Sequence, residues 1–127
     1  MRKYLCLFVL LAAGVGCGGP ASYHVEGHVK YDGKPVEEGA IILRDLDEKF
    51  PSVRAEIVNG GYAMDVTPGK KIVQVRATRK TGRKIEANPG EIVEEVAEFI
   101  PRKHNFESEL TIEVAGNQQD LNFDLEK

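Results

Sequence analysis

Val53-Arg54-Ala55-Glu56-Ile57-Val58-Asn59-Gly60-Gly61-Tyr62-Ala63-Met64-Asp65-Val66 is the stretch that decides the fold. Val53, Ala55 and Ile57 alternate with more polar neighbours, and so do Tyr62, Met64 and Val66. Side chains two apart share one face of a strand, so each half predicts a strand with a single buried face. Asn59-Gly60-Gly61 between them tolerates the positive φ that a tight hairpin requires.

The same pattern extends in both directions. Upstream, Tyr23, Val25, Gly27, Val29 and Tyr31 fall on one strand face, and His24, Glu26, His28 and Lys30 on the other. Asp32-Gly33-Lys34-Pro35 turns the chain before Ala40-Ile41-Ile42-Leu43, a run apolar enough to be covered on both sides. Downstream, Thr67-Pro68-Gly69-Lys70 precedes Val73, Val75 and Ala77. A long polar loop then leads to Val96–Ile100, stopped by Pro101. Leu110-Ile112-Val114 and Leu121-Phe123-Leu125 complete the set, joined across Ala115-Gly116-Asn117. Glu91–Phe99 is the one helical candidate, and its β-branched content with the following Pro favours strand or extended loop. Seven or eight short strands with frequent turns predict an all-β, antiparallel sandwich forming one domain over 23–127.

The first residues are of another kind. Met1-Arg2-Lys3 precedes the apolar run Tyr4–Val15, which is shorter than the ~20 residues a membrane span needs. A basic start, an apolar run and small residues predict a signal peptide over 1–16. Gly14-Val15-Gly16-Cys17 resembles the lipobox of bacterial lipoproteins, although that motif prefers Leu where Gly14 stands. The resemblance implies that Cys17 is acylated, that 17–22 is a lipidated tether, and that the protein is exported and anchored in the cell envelope, periplasmic or surface-facing. Cleavage after Gly14 or Gly16 without lipidation is the alternative. Gly18 follows Cys17, so the Asp of an inner-membrane retention signal is absent. Cys6 leaves with the signal, and the remaining chain has no pair of thiols for a disulfide.

Val25-Glu26-Gly27-His28-Val29, Gly33-Lys34-Pro35-Val36 and Gly39-Ala40 resemble the opening of carboxypeptidase-regulatory-like domains. Gly60-Gly61-Tyr62 and Pro68-Gly69 are similar to that family's next two landmarks. Ile100-Pro101-Arg102-Lys103-His104-Asn105 and Asn122-Phe123-Asp124-Leu125 resemble the ending of small planctomycete-type lipoproteins with transthyretin-like sandwiches. The resemblance implies a transthyretin-like Greek key that is not itself catalytic. The same fold hosts a hydrolase of 5-hydroxyisourate with a Tyr-Arg-Gly-Ser ending, from which Phe123-Asp124-Leu125-Glu126-Lys127 departs.

The 127 residues are 42% hydrophobic and 29% charged with a formal net charge of −3, an acidic balance that argues against a dedicated nucleic-acid binder. His24 and His28 lie ~13 Å apart along one strand, too far to chelate a single ion. No G-x-S-x-G elbow is present, and no pair of acids is singled out as acid and base. No cofactor is expected. A Lys–Asn or Lys–Asp isopeptide bond, as in related surface sandwiches, would involve Lys30 with Asn122 or Asp124, but their parity places them outside the core.

Charge is unevenly distributed. Lys70, Lys71, Arg76, Arg79, Lys80, Arg83 and Lys84 occur with no acid between Asp65 and Glu86, and Glu91, Glu94, Glu95 and Glu98 follow. Such a basic strand-and-loop suits anionic headgroups, acidic glycans or an acidic partner. The plainer expectation is that it faces the acids across neighbouring strands. Together these features predict a non-enzymatic, lipid-anchored interaction or scaffolding module, attached to the membrane through Cys17 and to an unknown envelope protein or glycan. The alternative is a glycan-binding sandwich using Phe50, Phe99 or Phe106.

Overall fold

The computed structural model describes residues 21–127, and the expected signal peptide, Cys17 and the tether as far as Pro20 lie outside the described residues. Nine strands follow: β1 Tyr23–Tyr31, β2 Lys34–Pro35, β3 Glu38–Asp45, β4 Val53–Val58, β5 Gly61–Val66, β6 Gly69–Asn88, β7 Glu91–Glu98, β8 Thr111–Val114 and β9 Phe123–Leu125. Among the described residues a single 3-10 turn, Arg102–His104, interrupts the β structure. The β4–β5 hairpin forms where expected, with Asn59 and Gly60 at φ 51° and 83°. Two consecutive positive φ values match the twist of the flanking strands.

The strands make one continuous sheet in the order β2-β1-β5-β4-β3-β6-β7, with β8 against β6 and β9 against β1. It folds over at the β4–β5 hairpin, where the two strands share only the Val58↔Gly61 pair. Val25, Val29, Met64 and Val66 from β1 and β5 thereby pack against Ile41, Leu43, Ile57, Val73 and Val75 from β3, β4 and β6. Each such fully buried aliphatic side chain contributes about 1.5–3 kcal/mol. This is the sandwich core, and the inward parity read for these strands is the observed one.

Pairing is antiparallel except at the edge beside β1. There β9 runs parallel to it, Val29 opposite Phe123, and Val25 forms a parallel bridge with Gln118. Gly27 explains itself at this edge: a Cβ on it would lie 2.0 Å from the Leu121 carbonyl oxygen. The same oxygen accepts a 2.5 Å hydrogen bond from Tyr62 Oη. Tyr62 is therefore a strut between the β5 layer and the C-terminal segment, and its burial raises the phenol's pKa.

The segment expected as a long polar loop is instead a ribbon. β6 is 20 residues long, and its C-terminal half pairs with β7 from Thr78↔Glu98 to Asn88↔Glu91. The turn at its tip uses Gly90 at φ 83°, whose N–H donates to Glu86. Beyond Ala77 every β6 residue is exposed, so the ribbon has no buried face. It projects from the end of the sandwich that carries the Val58–Gly61 turn, since Ala77 pairs with Gly39 and Glu38 with Val58. The opposite end carries Tyr23, paired with Val66, and Asp45, paired with Lys71.

Candidate functional site

The basic residues singled out in the sequence all lie on β6, which spreads them rather than gathering them. Lys70 and Lys84 are separated by ~46 Å of extended chain. Lys71 is only 1% exposed, so it is removed from any surface contact with an anionic partner. The reason is parity: Lys71 shares the inward face with Val73, Val75 and Ala77. Its Nζ donates to Thr67 Oγ1 at 2.8 Å, lies 3.6 Å from Asp45 Oδ1 and sits over the Phe50 ring. Burial pushes the Asp45 pKa up, but the N–H donors of Lys49 and Phe50 and the nearby Lys71 outweigh it and hold it below its ordinary value.

Further along β6 the cations meet the acids of β7. Glu98 Oε1 accepts from Arg76 Nε and Nη2 at 3.1 and 2.6 Å. Lys80 pairs with Glu94 at 2.6 Å, which raises the ammonium pKa, and Arg83 lies 3.9 Å from Glu95. Lys84 stands opposite Glu94 in register. Arg79 has no such carboxylate; its guanidinium lies 5.1 Å from the centre of the Phe99 ring. The ribbon is thus close to charge-balanced, with a basic strand beside an acidic one.

Phe99 marks the ribbon's base. An open groove of about 780 Å³ is lined there by Pro35, Glu38, Val58, Thr78, Arg79 and Phe99, among others. A second, of about 680 Å³, shares Arg79, Lys80 and Phe99 with it and adds Tyr31, whose ring centre is 5.8 Å from that of Phe99. Phe106, 63% exposed, lies in a third concavity with Phe99, and the Arg76 guanidinium is 5.0 Å from its ring centre. Phe50 is half-buried beside Lys71. Each of the three candidate sugar platforms carries a cation over one ring face.

The histidines separate. His24 Nδ1 is 2.9 Å from Asp65 and Nε2 is 3.2 Å from Glu26. The hydrogen bond to Asp65, then that to Glu26, raises its pKa and favours the doubly protonated ring. His28 stands four residues further along β1, and His104 Nε2 donates to the Glu126 carbonyl at 2.7 Å. Among the described residues no group of three His, Cys, Asp or Glu is arranged to hold a metal ion. Lys30 and Asp124 are register partners across β1 and β9, both exposed, while Asn122 Oδ1 accepts from His28 N–H. Among the described residues, the buried Lys–Asp pair is Lys71 with Asp45, at the 3.6 Å separation of an ion pair.

What the sequence reading missed is the ribbon itself. Its one apolar register pair is Ile85 with Val93, and its polar cross-strand contacts are ion pairs and Thr81 Oγ1 donating to Glu95 at 2.8 Å, too little apolar alternation on β6 to read as a strand.

No protein-family profile matches the chain, and no curated protein matches it. Among solved structures, a DUF3823 family protein from Parabacteroides merdae is similar at 12% identity and a TM-score of 0.43. The match covers 84% of this chain and 46% of that one, so the chain spans less than half of that protein's length.

Proposed function

We propose that this protein is a lipid-anchored interaction module of the cell envelope, a carboxypeptidase-regulatory-like sandwich held by acylated Cys17 that presents the β6–β7 ribbon to a partner. The observation that carries the reading is the opposition of two ends. The chain enters β1 at Tyr23, and the ribbon leaves from the other end of the sandwich. A five-residue tether after Cys17 reaches at most ~18 Å, so the Tyr23 end would stand near the membrane. β6 then runs at most ~66 Å from that end to the ribbon tip, carrying Arg79, Lys80, Arg83 and Lys84 away from the headgroups. Family membership rests on the glycine and turn landmarks: Gly27 and Gly39 both lie where a Cβ would strike backbone, and Gly60-Gly61-Tyr62 forms the turn and strut.

Two measurements test this. Mass spectrometry of the membrane-extracted protein should find acyl chains on Cys17, and Cys17→Ala should release the protein to the soluble fraction. An unacylated, soluble wild-type protein would end the anchor claim. A photo-cross-linking residue placed at Ile92 or Val96 in the cells of origin should give a discrete adduct that one at Arg54 does not. No adduct from any surface position would remove the interaction role.

A further inference from the structure

The ribbon has two open edges, and they differ. Both register shifts in the β6–β7 ladder place the extra residues on β6, between Lys80 and Lys84 and between Glu86 and Asn88. Gly82 within the first has φ 85°, so the β6 edge is kinked. β7 has no inserted residue from Glu91 to Glu98, and it ends the sheet order. Its outer N–H and C=O groups form a regular unpaired row, which is a template for another strand.

The side chains of β7 narrow the choice of strand. Ile92 and Val96 are 61% and 58% exposed on one face, and Val93 is half-buried on the other. Glu91, Glu94, Glu95 and Glu98 alternate with them. Antiparallel pairing of β7 with its own copy over its whole length would set Glu94 against Glu95 and Glu91 against Glu98. Like charges directly opposite are destabilising, so the edge refuses itself.

We infer that the free edge of β7 accepts an extended segment of another polypeptide by antiparallel strand addition, the segment carrying Lys or Arg opposite Glu94 and Glu95 and β-branched residues opposite Val93 and Val96. Main-chain hydrogen bonds supply attraction and the alternating charges set register. The added strand turns a two-stranded ribbon, marginal by itself, into a three-stranded sheet. The inference deepens the interaction-module reading and rests on it.

The probe is acetyl-Lys-Thr-Val-Lys-Lys-Val-Val-Lys-amide, titrated into the membrane-extracted, detergent-solubilised protein. The expected result is saturable binding with slowed hydrogen exchange confined to Ile92–Ala97, while β1 is unchanged. The peptide with Glu for every Lys should not bind, nor should one N-methylated at alternate amides, which keeps the charge and removes the donors. Glu94→Lys with Glu95→Lys should weaken binding roughly tenfold, as two cross-strand attractions become repulsions. Equal binding of the N-methylated peptide overturns strand addition, because charge alone then suffices. Protection of β7 that rises with protein concentration in the absence of peptide also overturns it, because a second copy is then the occupant. If the peptide fails while cross-links from Ile92 persist, this inference falls and the interaction role stands.

Discussion

Gly27 is the residue at which a side chain is least tolerable. The added Cβ of Gly27→Ala would have to displace the Leu121 carbonyl and with it the Tyr62 hydrogen bond. Overpacking of this kind costs about 1–3 kcal/mol, and chemical denaturation should show it. Gly116→Ala, where nothing lies within 4 Å of the new Cβ, should stay within about 0.5 kcal/mol of wild type. Tyr62→Phe removes one hydrogen bond and should cost about 1 kcal/mol. Asp45 has a pH signature. Its pKa is lower in the folded protein than its ordinary 3.8, so the carboxylate favours folding above that value. That contribution is lost as pH falls through the folded value, and Asp45→Asn should flatten this acid limb of a stability–pH profile. His24 has the opposite sign. Its raised pKa adds stability that is fully present below 6.5 and fades as pH rises through the folded value. An NMR titration of Asp65→Asn should move the His24 midpoint down.

Elements were legible in proportion to the apolar surface they bury. The β4–β5 hairpin was readable because both strands alternate and Asn59-Gly60 can take the turn. Lys71 and Asp45 carried a readable signal too, as each continues the inward parity of its strand, Lys71 before Val73 and Asp45 after Leu43. Charge at an inward position marks a buried pair when its register partner is opposite in sign, but register is not written in one strand alone. The β6 arm of the ribbon was illegible for a physical reason: with its residues beyond Ala77 exposed on both faces, polar residues are as suitable as apolar ones. Since it contributes nothing to the core, replacing residues 79–97 by Asn-Gly should leave the thermal midpoint within a few degrees of wild type. Limited proteolysis should likewise cut near Pro89 first and leave a folded body. A cooperative loss of the whole domain on either treatment would show that the ribbon supports the sandwich.

At the scale of the whole molecule, orientation is the testable property. In the proposed acylated state on vesicles, a dye at Asp47, in the loop after β3 near the Tyr23 end, should be quenched by acceptors in the bilayer. A dye at Pro89 should be nearly unaffected, because the ribbon tip stands up to ~60 Å beyond it along β6. Equal quenching would mean that the domain lies on its side. Anionic lipid should change neither result, as the proposed orientation turns the exposed cations of β6 beyond Ala77 away from the surface.

The parallel union of the last strand with the first has a consequence in time. His24 N–H donates to Asn117, 93 residues later, and the Leu121 N–H to the Glu26 carbonyl. The edge beside β1 therefore stays open until the residues from Asn117 onward have been synthesised, and contacts of such long sequence separation form slowly. A nascent chain of this protein keeps that edge open until β9 arrives to latch it.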